Sequence, residues 1–482
     1  MAFFRVTQNL VADISRANIA RQTAKLFDVQ QQVSTGLRIQ RPSDDPTGLR
    51  RALIQEDRIA RLESHATAIR HVQSRLNSAY VQLQDVTHGI VRARDIALSA
   101  PQITTEAERM VLARELDGLL EQIGSAANAA DESGYLFAGT AADSMPFPDF
   151  RAAAARTSYE GSDQKIGVYL TGEAVRDSLL PGDQIFQPLQ REPKVILGQT
   201  QIKSGASVDT AFGTRTLTVA HATTTYAAGS GVAAGVSSAQ SDTIIGPPGG
   251  HTLIIDDISG TGASGTVRLN GGPPIPFTSA DTDLEVTGRN GEVVFIDTTA
   301  ITPGFSGSVD ITADGTLSID GGASVTPIDF TSNQAVVDSS DGGIAWLDTT
   351  SVTKTQTAQL EFPGTNDLFG AIRALRDDIL NTRNLSSSDQ NEALNRRLGE
   401  LERFNDHILD IVGMESVSSE QMQRLGDRTT DLKLEAETQH SDNVSADITA
   451  AVLHLQEMYN LQQFTLSSVS RLVDTNLLNY LR

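Results

Sequence analysis

The chain has 482 residues, enough for two or three domains with a sizeable core. Its 60 acidic and 38 basic residues leave a formal charge of −22, which excludes the basic face that phosphate contacts demand and disfavours anionic membrane surfaces. Cysteine is absent, so disulfides, thiolate metal sites and cysteine nucleophiles are excluded together.

The first forty residues form a weak helical pattern. Leu10, Ile14, Ala17 and Ala24 keep helical spacing, but Arg21 and Gln31 fall where an apolar residue is due. Such a helix is marginal alone and needs a partner surface, either the last helix of the chain or neighbouring copies. Residues 34–48, Ser-Thr-Gly-Leu-Arg-Ile-Gln-Arg-Pro-Ser-Asp-Asp-Pro-Thr-Gly, mark a break between helices. Gly36 ends the first, Pro42 cannot continue it, and Ser43 or Asp44 caps the next, ahead of Asp45 and Pro46.

Ile69, Val72, Leu76, Ala79, Leu83, Val86, Ile90, Ala93 and Ala97 then alternate steps of three and four without a miss. The spacing predicts a coiled-coil-like seam roughly 40 Å long, ended by Pro101. Leu112, Leu116, Leu119, Ile123, Ala126 and Ala130 continue the rhythm to a stop near Gly134.

From about residue 141 to 365 Gly, Thr, Ser, Asp and Pro dominate and charge falls. Leu253–Ile255, Val267–Leu269 and Val293–Ile296 read as strands. Asn270-Gly271, Asn290-Gly291, Asp314-Gly315, Asp320-Gly321 and Asp341-Gly342 supply turns. An all-β module, or two, is expected. The remaining zone is helical again. Leu394, Leu398, Leu401, Ile408 and Val412 form one stripe, and Met422, Leu425, Leu432 and Ala436 a second. Val444, Ile448, Ala451, Leu455 and Met458 form a third, followed by Leu477, Leu478 and Leu481. The fold class expected is α + β multidomain: a long coiled-coil-like helical rod from both termini with an inserted mainly-β module.

Chemistry is hard to find. Gly260-Thr261-Gly262-Ala263-Ser264-Gly265 fits a dinucleotide-loop pattern, but a strand-like Thr266–Leu269 follows instead of a helix whose amides could hold a pyrophosphate. The eight histidines include no i, i+4 pair, and Asp256-Asp257 and Asp281/Asp283 fit no EF-hand order. No catalytic residue, cofactor or metal is expected. No stretch approaches the ~18 apolar residues of a membrane helix, and the N-terminus lacks a signal-type apolar core, so any export is expected by a route that reads no cleaved signal.

Residues 34–48 resemble the helix break of the flagellin superfamily, closest in the form its junction proteins show around Gly36, Pro42, Ser43, Asp44, Asp45 and Pro46. Gly134-Tyr135-Leu136-Phe137-Ala138-Gly139 and Gly182-Asp183-Gln184-Ile185-Phe186 are similar to two further junction-protein segments, as is Asn366-Asp367-Leu368-Phe369 opening a helix. The last helix, closing on Leu477-Leu478-Asn479-Tyr480-Leu481, resembles the flagellin C-terminal helix. The resemblance implies paired terminal helices over 1–45 and 440–482 (D0-like), a helical rod over 46–180 and 366–439 (D1-like), and a β-rich outer insert over 181–365. It also implies a structural part of the bacterial flagellum at the hook–filament junction, exported by the flagellar type III route. Its partners would be copies of itself in a ring, a hook-associated protein on the hook side, flagellin on the filament side and an export chaperone. Assembly contacts are expected from Leu10, Ile14, Ala17, Ala24, Val444, Ile448, Ala451, Leu455, Met458, Leu477, Leu478 and Leu481. A filament-forming flagellin is the alternative, and a secreted β-domain adhesin or enzyme a more distant one.

Overall fold

The computed structural model describes residues 8–480 except 104, 165, 171, 172 and 199. Helix α1 (Gln8–Thr35) is followed by α2 (Pro46–Ser99) and α3 (Glu106–Ala127). Two hairpins come next, β1 (Ala130–Asp131) with β2 (Gly134–Tyr135), and β3 (Ile166–Leu170) with β4 (Glu173–Leu179). The short α4 (Gly182–Phe186) leads into the β region. There the strands are β5 (Val195–Leu197), β6 (Lys203–Ser204), β7 (Gly213–Tyr226) and β8 (Ala233–Ala234), then, past the one-turn α5 (Ser238–Ser241), β9 (Gly246–Asp256). They continue as β10 (Ser264–Leu269), β11 (Ile275–Thr278), β12 (Leu284–Thr287), β13 (Val293–Asp297) and β14 (Ser306–Ser318). The last are β15 (Thr326–Pro327), β16 (Gln334–Val337), β17 (Ile344–Asp348) and β18 (Gln356–Phe362). Helices α6 (Leu368–Leu380), α7 (Ser387–Val444) and α8 (Ile448–Tyr480) close the chain. The class is therefore α + β, with long helices at both ends and a β-rich region between them.

Contacts divide the chain into two units. One holds residues up to Ser74, 168–175 and 418 onward; the other holds 75–167 and 176–417. In the first, α1 packs along α8, Gly426 of α7 lies against Ile69 of α2, and Lys433 pairs with Glu63 at 2.7 Å.

The α2 stripe from Ile69 to Ala97 is buried throughout, because its unbroken spacing keeps every apolar side chain on one face. The α3 stripe ends sooner than its spacing suggests. The helix stops at Ala127, and Ala130 lies exposed in β1. Asn128 causes the stop: its side chain donates to the Phe147 carbonyl at 2.9 Å and accepts from the Phe147 amide at 2.8 Å, drawing the chain out of the helix. The stripe expected to run from Val444 to Met458 is likewise interrupted, since residues 445–447 separate α7 from α8. Asp447 starts α8 by accepting from the Ala450 amide at 3.0 Å.

In the second unit the main sheet runs β11-β10-β9-β14-β7-β18-β5, with β15 beside β14. Two three-stranded sheets, β12-β13-β8 and β16-β17-β6, fold over it to close two separate cores. Asn270-Gly271 forms the expected positive-φ turn, at 48° and 68°. Asp314-Gly315, expected as a turn, instead lies inside β14, where the register to β7 shifts. A Cβ at Gly315 would come within 2.9 Å of the Ala220 carbonyl oxygen and of Ile245, so glycine serves sheet packing there.

Candidate assembly surfaces

At the helix break, Gly36 takes φ 72°, a left-handed conformation that ends α1 without a Cβ penalty, and its amide donates to the Gln32 carbonyl at 2.8 Å. Pro42 and Ser43 occupy the exposed turn beyond it. The cap of α2 is Asp45, not Ser43 or Asp44 as the spacing suggested. Pro46, with no amide hydrogen to satisfy, suits the first helical position, and Asp45 Oδ1 accepts from the Gly48 amide at 2.9 Å. Asp44 instead closes the turn, accepting from the Gln40 and Arg41 amides at 3.1 and 2.8 Å. The Gly48 amide, helped by the Thr47 hydroxyl, lowers the Asp45 carboxyl to about 2. The Arg41 and Gln40 amides likewise hold Asp44 low. Gly48 is tightly required, because a Cβ would meet Asp45 Oδ2 at 2.4 Å and Ile39 Cδ1 at 2.7 Å.

This break lies directly against the one between α7 and α8. The Arg38 amide donates to the Val444 carbonyl at 2.7 Å, the Ala446 amide to the Gly36 carbonyl at 2.8 Å, and the Arg38 guanidinium to the Asn443 carbonyl at 2.7 Å. Arg38 also pairs with Asp45 at 3.2 Å, joining the cap to the same knot.

The face of α1 that is covered differs from the one the spacing singled out. Leu26 and Val29 are buried and Ile19 and Val33 half-buried, at helical spacing from one another. Leu10, Ile14, Ala17 and Ala24 lie on an exposed face, with Ile14 at 50% exposure. Phe27, which the stripe missed, is 65% exposed. On α8, Ala451 is buried and Leu455 and Met458 are half-buried, whereas Ile448 is exposed. Val444, at the end of α7, is half-buried. Leu453, Leu461, Phe464 and Leu466 are exposed as well, Phe464 at 74%. Leu477 and Leu478 fall within α8 but outside the side chains described, and Leu481 lies outside the described residues. The exposed aromatics escaped sequence reading because they fall outside the stripes; their signal was size, a bulky apolar residue at a position no stripe uses.

The other motif segments converge in the second unit. Phe137 and Phe186 meet edge to face at 5.5 Å, Phe147 meets Phe186 at 5.6 Å, and Phe369 lies 6.0 Å from Phe186. The Gly182 amide donates to the Phe137 carbonyl at 2.8 Å, and the Tyr159 hydroxyl donates to the same oxygen at 2.9 Å. Gly134 and Gly139 turn the chain with positive φ, and the Tyr135 carbonyl accepts from Arg75 at 2.9 Å. Asp183 lies in the first turn of α4. Asp367 caps α6, accepting from the Gly370 amide at 2.5 Å and from the Thr157 amide. Residues 134–139, 182–186 and 366–369 thus build one aromatic core.

Beside it lies a buried ion network. Arg397 of α7 reaches Glu400 at 2.5 Å, Asp378 of α6 at 3.1 Å and Glu361 of β18 at 3.7 Å. Arg383 and Arg396 complete it on Glu361, at 2.5 and 2.6 Å. Burial pushes Glu361 up, yet Arg397 and its neighbours outweigh that and hold it low; at Asp378 burial wins and the carboxyl is raised. The aspartates considered as cation ligands are engaged otherwise. Asp257 accepts from the Ser259, Gly260, Gly262 and Gly304 amides, and Asp283 from the Ser237 amide and hydroxyl.

Residues 6–142 match the bacterial flagellin N-terminal helical region. Flagellar hook-associated protein 3 of Salmonella typhimurium is 26% identical over 34% of this chain and 50% of its own length. Its Escherichia coli counterpart is 25% identical over 38% of this chain and 57% of its own. The chain spans about half the length of the curated relatives it matches. A crystal structure of Xanthomonas campestris FlgL superposes over 80% of this chain and 98% of that one at 17% identity and a TM-score of 0.38, too loose a likeness to add to the argument. The similarity to the flagellin N-terminal helical region thus covers α1, α2 and α3 and runs on through residues 134–139.

Proposed function

We propose that this chain is a structural subunit at the junction between hook and filament, assembling as a ring of identical copies. The observation that carries the reading is the apolar surface left open on both terminal helices, Ile14 and Phe27 on α1 with Leu453 and Phe464 on α8. Leu461 and Phe464, one turn apart and both exposed, form the kind of grouped apolar surface that marks an association site. Neighbouring copies cover those faces, a hook-associated protein meets the ring on the hook side, and flagellin meets it on the other. Before assembly an export chaperone shields the C-terminal helix, and the chain leaves through the flagellar type III route. Residues 1–45 and 440–482 are the assembling ends, 46–180 and 366–439 the helical body, and 181–365 the outer insert. The role is mechanical, with no catalytic turnover.

Deleting the protein from cells tests this. Flagellin is expected in the medium, unattached, with hooks left bare. The second reading, a filament subunit, draws on residues 6–142, whose match is to flagellin itself. Under it the deletion removes the filament protein altogether.

A further inference from the structure

The β region contains one module twice. Gly265-Thr266-Val267-Arg268-Leu269-Asn270-Gly271-Gly272 parallels Gly315-Thr316-Leu317-Ser318-Ile319-Asp320-Gly321-Gly322. Ile296-Asp297-Thr298-Thr299-Ala300-Ile301-Thr302 parallels Leu347-Asp348-Thr349-Thr350-Ser351-Val352-Thr353, and Asp242-Thr243 with Gly246 parallels Asp209-Thr210 with Gly213. The bonds match too. Asp242 accepts from the Phe295 amide at 2.8 Å, as Asp209 does from the Trp346 amide at 2.7 Å. Thr243 accepts from the Val293 amide at 2.8 Å, as Thr210 does from Ile344 at 2.9 Å. The Gly235 amide donates to the Phe295 carbonyl at 2.8 Å, and the Gly205 amide to that of Trp346 at 2.9 Å. The Thr298 amide donates to the Asp281 carbonyl and the Thr349 amide to the Thr331 carbonyl, both at 2.9 Å. Even the edge prolines agree: Pro276 stands opposite Thr266 and Pro327 opposite Thr316. Two unrelated stretches would not share side-chain-to-backbone bonds at so many matched positions.

The copies are nested. The outer one consists of residues from about 202 to 220 and from 315 to 362; the inner one fills the gap. In the inner copy β9 turns into β10 through the Gly-rich loop at 257–264, pairing Asp256 with Thr266. In the outer copy the equivalent pair is Ala220 with Thr316, and the whole inner copy replaces that loop. Strand β14 belongs to both: its first half pairs with β9, its second with β7, and the register shift at Asp314/Gly315 marks the seam. Each copy has its own core, around Leu253, Val294 and Ile296 in one and Leu217, Ala345 and Leu347 in the other. The outer copy is tied to the helices: the Gly213 amide donates to Thr365 at 2.8 Å, and Glu361 enters the Arg397 network. The inner copy joins the outer through strand pairing and bonds such as Ile245 N to the Thr353 carbonyl at 2.9 Å.

We infer that residues 221–314 are a second copy of the module inserted into a loop of the first, a separately folding part that junction assembly does not need. Separate cores that meet only along β14 and around Ile244 and Ile245 unfold separately. The test is a full chain in which residues 221–314 are replaced by a copy of residues 257–264. Trp346, the single tryptophan, lies in the outer copy and reports on it alone. We expect a cooperative Trp346 fluorescence transition, with a midpoint a few degrees lower because Ile245 leaves the outer core. Loss of that transition overturns the inference. In a second variant, Ile296→Asp in the otherwise intact chain, protease should cut within 228–312 while the Trp346 transition holds; collapse of both in one step also overturns it. A third arm rests on the junction reading: the shortened chain should restore attached filaments, to within twofold of the intact chain, in cells lacking the protein. Bare hooks with an intact Trp346 transition overturn dispensability. Failure of the intact chain to restore filaments tells against the junction reading and leaves the folding arms standing.

Discussion

Asp44 and Asp45 are chain neighbours with separate tasks, one closing a turn and the other starting a helix. Their carboxylates are stabilised by amide donors, so protonation removes those bonds. Asp45, lowered from 3.8 to about 2, contributes stability that is full above its unfolded value and is lost as pH falls through about 2. Thermal unfolding from pH 5 to pH 2 should show a smaller decline in Asp45→Asn than in the unaltered chain, the variant beginning from a lower midpoint. Phe186 touches three other rings, and its truncation opens a cavity that those rigid neighbours cannot refill. Phe186→Ala should cost about 3–5 kcal/mol, read by urea unfolding. Sequence reading placed the cap one or two residues early because Ser43, Asp44 and Asp45 are all competent caps; only Pro46, fixing the first helical position, separates them.

At the scale of elements, α7 combines a helical stripe with a charged core. Arg397→Met should destabilise by about 3–5 kcal/mol, because it leaves Glu361, Asp378 and Glu400 buried with fewer cations. Raising salt to 1 M should change the stability of the unaltered chain little, since buried pairs are screened weakly. The helices α1 and α8 present the opposite case. Phe464→Asp and Ile14→Asp alter exposed positions, so monomer melting should move by less than about 1 °C while assembly fails, measured by filament attachment. Leu455→Asp, on the half-buried face, should weaken the α1–α8 packing as well. The α2 seam was legible from Ile69 to Ala97 because each step of three or four lands on an aliphatic residue. The covered face of α1 was not, since Ile19, Leu26 and Val29 share the helix with a second apolar face that competes for the same reading.

Across the molecule, the helical ends and β-rich middle were readable from composition, and the motif segments from resemblance. The pairing of β strands was hidden, because partners such as Ala220 and Thr316 are separated by the inner copy, and no local spacing records a nested insertion. The aromatic core was hidden for a like reason: Phe137, Phe186 and Phe369 belong to remote stretches. Stability should be uneven. Among its described residues α1 buries Leu26 and Val29, whereas α3 and α6 pack on each other with fully buried cores. Native-state hydrogen exchange on the free chain should show α1 and α8 exchanging well before α3 and α6, with protection rising on assembly. Strong protection of α1 and α8 in the free chain would count against this uneven stability.

The two helix breaks occur side by side and are laced by the amides of Arg38 and Ala446 and by the Arg38 guanidinium. Neither α1 nor α8 can pivot about its own break without pulling on the other. A bend at this level has to carry both helices as one arm, like a double-pinned elbow. Cutting the Arg38 guanidinium link, with Arg38→Ala, would loosen the elbow without touching either helix.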